Sequence, residues 1–194
     1  MATDFSSSPT FSIATERLHI SYFQPDIPEH CNLLVRLLWP GIDTPAKAAE
    51  FIKNRIHADY RRNKYGQLLV SLKPHQNASL AESKLIGVVS LMRGQPPDGY
   101  LQPDIGYQIV AEENGKGYAT EAAIGLMNYA RRELGVDGVF GFCEKDDPRS
   151  RRVLEKIGLQ YRGERKLRVF GGEECAVYAL PGMDQDLRVY GIDD

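Results

Sequence analysis

Asn114-Gly115-Lys116-Gly117 puts two glycines and a lysine in one turn, and Tyr118-Ala119-Thr120-Glu121-Ala122-Ala123 follows as the opening of an amphipathic helix. Just before the turn, Ile105-Gly106-Tyr107-Gln108-Ile109-Val110 reads as a strand. Strand, glycine turn and helix N-terminus in succession make an anion-binding device. The first N–H groups of a helix have no intrahelical partner, and the dipole adds partial positive charge at the same end. Glycine lacks a Cβ, so a phosphate can come close to the main chain. The chemistry implied is the holding of a phosphorylated cofactor by Asn114, Gly115, Lys116, Gly117, Tyr118, Ala119 and Thr120. A Gly-Lys-Gly turn by itself is most often only a turn; the flanking strand and helix give this one its weight. The Walker spacing Gly-x-x-x-x-Gly-Lys-Ser/Thr does not fit here.

The elements that must position this turn can be read from periodicity. Arg17 to Phe23 is rich in β-formers and predicts a strand. Helices are predicted over Pro28 to Leu38, with Leu33, Leu34, Leu37 and Leu38 on one side, and over Pro45 to Arg62, with Ala48, Phe51, Ile52, Ile56 and Tyr60 on one face. Strands follow at Gln67–Leu72 and Leu85–Met92, separated by a polar loop, Lys73 to Ser83. The cluster Gly94 to Gly99 predicts a hairpin to a strand over Tyr100–Val110. The helix after the glycine turn, Tyr118 to Leu134, carries a face of small residues that suits close packing on a sheet. Then come a strand at Gly138–Cys143, a short helix capped by Asp147 and ending at Gly158, and strands at Gln160–Phe170 and Glu174–Leu180. Three consecutive strands before the key helix argue against a doubly wound sheet. The expected fold is α/β (α+β), with a mixed, mostly antiparallel central sheet flanked by helices on both faces. Residues 1–12 and 183–194 read as flexible tails around one domain, 13–182.

Composition narrows the function classes. The chain has 194 residues, 24 basic against 26 acidic, for a formal net charge of −2. That balance gives no case for nucleic-acid binding. Three widely spaced cysteines and four histidines without ligand spacing argue against a metal site. No segment reads as a signal peptide or a membrane span, so a reduced, cytoplasmic protein is expected, as a monomer or homodimer.

With these residues in place, the chain resembles the GNAT superfamily of N-acetyltransferases, whose acetyl-CoA loop follows Gln/Arg-x-x-Gly-x-Gly/Ala. Gly117 and Ala119 fill its last two fixed positions, and Asn114 stands where Gln or Arg is usual. The run from Ile105 to Ala122, and Thr15-Glu16-Arg17-Leu18 before the first strand, look like the branch that contains ribosomal-protein N-terminal acetyltransferases. That branch also carries Asn-x-x-Ser and then Val-Leu-Glu-Lys-x-Gly-Phe; here these read Asp147-Pro148-Arg149-Ser150 and Val153-Leu154-Glu155-Lys156-Ile157-Gly158-Leu159. Asp147 replaces the usual Asn near the cofactor, and Leu154 stands where many members have a Tyr as general acid.

The resemblance implies direct transfer of an acetyl group from acetyl-CoA, without a metal, to a small-molecule amine or a protein N-terminus. A non-catalytic CoA-binding or regulatory module is the rival reading. For the reaction, the pyrophosphate falls to the backbone of residues 115–119 with Lys116. The thioester carbonyl falls to a free N–H near Ile109 and Val110, where the strand splays from its neighbour. Asp147 and Ser150 are placed near the cofactor, and Ser150 is the branch's acid for the departing thiolate. Asp104 and Glu144 are candidate bases. Each has a plainer competing role: Ser150 and Asp147 as helix-start residues, Asp104 and Glu144 as solvated strand residues. Cys143 reads as a packed small hydrophobe. The resemblance implies an acceptor groove formed by the helices after the first strand and the closing hairpin, and Asp43, Glu50 and Asp59 near it hint at a cationic acceptor.

Overall fold

A computed structural model describes residues 8–95, 97 and 99–193. Residues 1–7 of the tail expected over 1–12, and Pro96 and Asp98 of the turn cluster, lie outside the described residues. The strands are β1 (Ser12–Ala14), β2 (Leu18–Tyr22), β3 (Gln67–Leu72), β4 (Lys84–Met92), β5 (Asp104–Ile109), β6 (Phe140–Glu144), β7 (Gln160–Leu167) and β8 (Glu173–Ala179). The helices are α1 (Pro28–Arg36), α2 (Pro45–Phe51), α3 (His57–Asn63), α4 (Tyr118–Leu134) and α5 (Pro148–Lys156). The strands form one sheet in the order β1-β2-β3-β4-β5-β6-β8-β7. Every neighbouring pair is antiparallel except β5 and β6, which run parallel. The mixed sheet expected from the sequence is therefore the one observed.

Cross-strand register sorts the side chains onto two faces. Ile20 of β2 reaches Gly125 of α4, and Ile20, Val70, Gly87 and Ile109 lie opposite one another across four strands. Their side of the sheet is the α4 face. Residues one step along β5 point the other way: the Gln108 side chain donates to the Leu37 carbonyl at the end of α1, 2.8 Å away. On α4, Ala122, Ala123, Leu126 and Ala130 are the buried residues, so the small-residue face does pack on the sheet.

Four differences from expectation have physical causes. The single helix over 45–62 is interrupted by a π-helical turn, Ile52–Ile56. Ala48, Ile52, Ile56 and Tyr60 are all fully buried at a spacing of four. In a regular α-helix that spacing drifts by about 40° per step, and a wider turn keeps the stripe aligned. Leu38, expected on the buried side of the first helix, has left it at φ 53 and is 85% exposed. The strand expected to run to Phe170 stops at Leu167, where a 3₁₀ turn, Arg168–Phe170, begins the β7–β8 connection. An edge strand, β1, was missed, and it ties Ser12 to Ser21 while Phe11 stacks on Tyr22.

The C-terminal segment is not a loose tail. Met183, Leu187 and Ile192 are buried with Tyr100, Phe140, Leu167 and Val177 in a small core of their own. The Leu101 N–H donates to the Tyr190 carbonyl, and Arg168 bonds Asp193. Five apolar residues without a regular period, Met183, Leu187, Val189, Tyr190 and Ile192, gave too weak a pattern to predict this. Leu187→Ala and Ile192→Ala should each cost about 2–4 kcal/mol of stability in urea unfolding; a loose tail would show no change.

Candidate functional site

The site is organised by a defect in the sheet. The Val110 N–H donates to the Ile86 carbonyl at 2.8 Å, so the even-numbered residues of β5 bond to β4. The main-chain groups of Ile105, Tyr107 and Ile109 therefore face β6. Yet β5 pairs with β6 only at Asp104–Phe140 and Ile105–Gly141. Beyond that point the strands part, and the N–H and C=O of Tyr107 and Ile109 open onto a gap. The sequence placed a free amide near Ile109 and Val110. The Ile109 N–H is on the side of β5 that faces the gap, and the Val110 N–H is not free, because Ile86 takes it.

β5 leads into a short 3₁₀ turn and then the glycine loop. Gly115 and Gly117 have φ of 78° and 85°, values that disfavour a side chain. A Cβ on Gly115 would meet nothing within 4 Å, and one on Gly117 would meet only the Arg17 guanidinium at 3.4 Å. The first bond of α4 runs from the Glu121 N–H to the Gly117 carbonyl. The N–H groups of Tyr118, Ala119 and Thr120 in the first turn have no intrahelical acceptor. This is a cradle of main-chain donors kept clear of side chains, and it fits a diphosphate.

Charge around the cradle is arranged by two carboxylates. Lys116 does not stand free: its ammonium is 2.7 Å from Glu113, which also takes Lys84 at 2.8 Å. Hydrogen bonds from Lys116 and Lys84 hold the Glu113 carboxyl down to about 2. Two lysines against one carboxylate leave net positive charge at the loop. Asn114 closes the preceding turn, its N–H on the Ala111 carbonyl. On the other side, Glu121 accepts from the Thr15 hydroxyl (2.6 Å), the Arg17 N–H (2.7 Å) and the Arg17 guanidinium (2.6 Å). Burial opposes ionisation of Glu121, but these bonds outweigh it and hold the carboxyl below its usual value. Arg17 also donates to the Lys116 carbonyl and lies over the Tyr118 ring, 4.7 Å from its centre. This explains why the Thr15-Glu16-Arg17-Leu18 motif accompanies the loop: Thr15 and Arg17 clamp it from the N-terminal strands. The sequence carried that motif as a resemblance without assigning it a task.

Across the gap, Asp147 caps α5 and accepts from the N–H groups of Arg149 (2.9 Å) and Ser150 (3.2 Å). The Ser150 hydroxyl donates to the same carboxylate at 2.6 Å, which pushes the Asp147 carboxyl down. Asp147 is thus occupied by the helix it starts. Tyr107, on the α4 face of β5, reaches over to donate its phenol to the Ser150 carbonyl at 3.0 Å. Burial raises that phenol far above its usual value, so it stays protonated. The sequence quoted Tyr107 only as part of a motif. Cys143 is buried beside this group, and burial pushes its thiol up to about 11, in keeping with a packed hydrophobe.

The opposite face presents Asp104. Burial pushes its carboxyl up to about 7. On the same face, Gly106 lies opposite Ser90, and Ser90 lies opposite Gln67. A Cβ on Gly106 would come within 2.7 Å of the Ser90 hydroxyl oxygen, so the missing side chain opens the floor there. Glu144 is not brought to Asp104. It sits exposed four residues beyond Phe140, the β6 residue that pairs with Asp104, about 13 Å along the strand. The acidic residues offered as a sign of a cationic acceptor are mostly spent: Asp43 holds Lys47, and buried Asp59 lies between Arg62 and Arg55. Among the described residues, no cluster of His, Cys, Asp and Glu is arranged to hold a metal, and no helix is long and apolar enough to cross a membrane.

Comparison with known proteins gives the family to which a sheet parting over a glycine-loop helix start belongs here. Residues 17–160 match the acetyltransferase (GNAT) domain family, Acetyltransf_3, so the chain belongs to the GNAT acetyltransferases. A segment of 60 residues is 32% identical to the uncharacterized N-acetyltransferase YnaD of Bacillus subtilis (strain 168), spanning 31% of this chain and 35% of that protein. The fold is similar to ribosomal-protein-S5-alanine acetyltransferase from Vibrio fischeri (TM-score 0.68, 16% identity, 91% of this chain and 99% of that one). It is equally similar to the microcin C7 self-immunity acetyltransferase MccE, solved with acetyl-CoA and AMP (TM-score 0.68, 19% identity, 90% and 97%).

Gly117→Glu should abolish acetyl-CoA binding in calorimetry while the far-UV circular dichroism stays native, because it fills the cradle with bulk and negative charge. Unchanged affinity in the folded variant would refute the cradle.

Proposed function

We propose that this acetyltransferase moves the acetyl group of acetyl-CoA directly to a primary amine. The observation that carries the reading is the gap between β5 and β6, opening onto the glycine loop. Acetyl-CoA supplies the thioester. Backbone donors of residues 115–120 suit its diphosphate, and the outward N–H groups of Tyr107 and Ile109 suit a carbonyl that gains negative charge during attack. In the transfer, a nitrogen–carbon bond forms and the carbon–sulfur bond breaks. One proton leaves the nitrogen and one is taken up at sulfur.

The amine must be neutral to attack. A lysine-type amine has a pKa near ~10.4 and an α-amino group near ~7.8, so a base is required for the former and helpful for the latter. Asp104 is our base. Its carboxyl, raised to about 7, is poised near working pH. An amine over Gly106 would lie two residues from Asp104, about 7 Å, a span that a chain of two waters bridges, with Ser90 alongside. Glu144 is exposed and distant, which disfavours it. For the thiolate, with a pKa near ~8.5 by analogy with cysteine, a weak acid is enough. Ser150 is our candidate, oriented by Asp147, with the Tyr107 phenol at the same helix turn. The non-catalytic rival rested on Leu154 and Asp147. Leu154 packs over Gly141 in the core and Asp147 caps a helix, so neither closes the gap.

Two outcomes test these roles. The wild-type kcat/KM on a primary amine should rise with pH through a limb near 7, as Asp104 loses its proton. Asp104→Asn should lose that limb and about 100-fold in rate; a persisting limb would exclude Asp104. Ser150→Ala should lower kcat more than acetyl-CoA affinity, and an unaltered kcat would leave Ser150 a capping residue only.

A further inference from the structure

On the face that carries Asp104, the far side of the gap is aromatic. Phe140 pairs with Asp104, so Phe140 and Phe142 share its face. Phe142 stacks on Phe140 (centres 5.6 Å apart) and meets the edges of Tyr100 (5.8 Å) and Phe170 (6.0 Å). Phe140 is fully buried, Phe142 half-buried, and Phe170, on the turn between β7 and β8, is 45% exposed. The rings thus run from the core out to solvent along one rim of the gap. Behind the other rim, β5, the same face is polar: Ser90 of β4 and Gln67 of β3 are 8% and 6% exposed, and the buried Gln67 Oε1 has no hydrogen-bond partner among the described residues. Buried polar oxygens are nearly always satisfied, so this one marks a place for a donor.

Resting on the proposed amine transfer, we infer that the acceptor is a small arylalkylamine, a primary amine one or two carbons from an aromatic ring. Its nitrogen sits over Gly106 between Ser90 and Asp104, and its ring joins the edge-to-face cluster at Phe142 and Phe170. Asp104 pairs with Phe140 and Ile105 with Gly141, so Phe142 is the β6 residue level with Gly106 and faces it across the gap. A polyamine would want several free carboxylates. At the closed end of this face stands Asp104; Asp43 and Asp59 are ion-paired, and Glu144 is about 13 Å along β6.

The test is thiol release by the full chain at saturating acetyl-CoA, with phenethylamine, ethylamine, putrescine and a dipeptide beginning with Phe as probes. Phenethylamine should exceed ethylamine and putrescine by about tenfold or more in kcat/KM. Phe170→Ala should raise its KM about tenfold, and Phe170→Tyr should restore it; Phe142→Leu serves the same purpose if the first variant fails to fold. A ring preference held only by the dipeptide, equal rates for phenethylamine and ethylamine, or an unmoved KM in both variants would overturn the inference. If no probe is turned over, calorimetry of phenethylamine against ethylamine on the CoA-loaded protein reads the same preference, and equal affinities would overturn it. Failure of the wild type to bind acetyl-CoA would instead overturn the proposed transfer itself.

Discussion

A parallel pair of strands that stops pairing after two residues leaves main-chain donors and acceptors without their sheet partners. Each such group, if buried and unmet, costs about 1–3 kcal/mol. The structure keeps those of Tyr107 and Ile109 at an opening, where a ligand can meet them in an orientation the sheet has already set. β4 holds β5 rigid from behind through the whole ladder, down to the bond between Val110 and Ile86. The far rim is held by the packing of α5 on β6, where Leu154 lies against Gly141. Rigid rims around an unfilled ladder are what give the gap its chemistry.

The glycine loop depends on the same arrangement. It starts where β5 ends, so its position follows from the register of β4 and β5. Its charge is then set locally. Glu113 takes two ammonium groups, and Glu121 fastens the first turn of α4 to Thr15 and Arg17 more than a hundred residues earlier in the chain. The clamp joins the sheet edge to the helix start, and the neighbouring guanidinium, at once ion-paired and resting on Tyr118, borders the cradle without blocking it.

Much of this was legible in the sequence because the informative residues are local. Gly115, Gly117 and the Ala face of α4 announce a strand, a turn and a helix by spacing alone. Asp147 was readable as a cap because Pro148 follows it. What was not legible depends on register across distant segments. That Val110 is bonded while Ile109 faces the gap is decided by pairing with Ile86, and nothing in residues 105–110 reveals it. The separation of Asp104 from Glu144 likewise follows from the pairing of Asp104 with Phe140. Lys116 was readable as a charge, but not as one engaged by Glu113, since that pair depends on the chain folding back through an extended Asn114 and a left-handed Gly115. The C-terminal segment escaped because its three buried residues show no regular period.

Among the described residues there are two clusters of buried apolar side chains. The larger crosses the opening, from Leu18 and Val70 to Cys143, Leu154 and Tyr178; the smaller, made by the last hairpin and the closing segment, underlies the aromatic rim. Substitutions in the smaller core can therefore reshape the pocket wall while the donor-binding half keeps its geometry. Because Met183, Leu187 and Ile192 pack on Phe140 and Val177 and not on the start of α4, the closing segment bears on one wall of the opening and leaves the glycine loop alone.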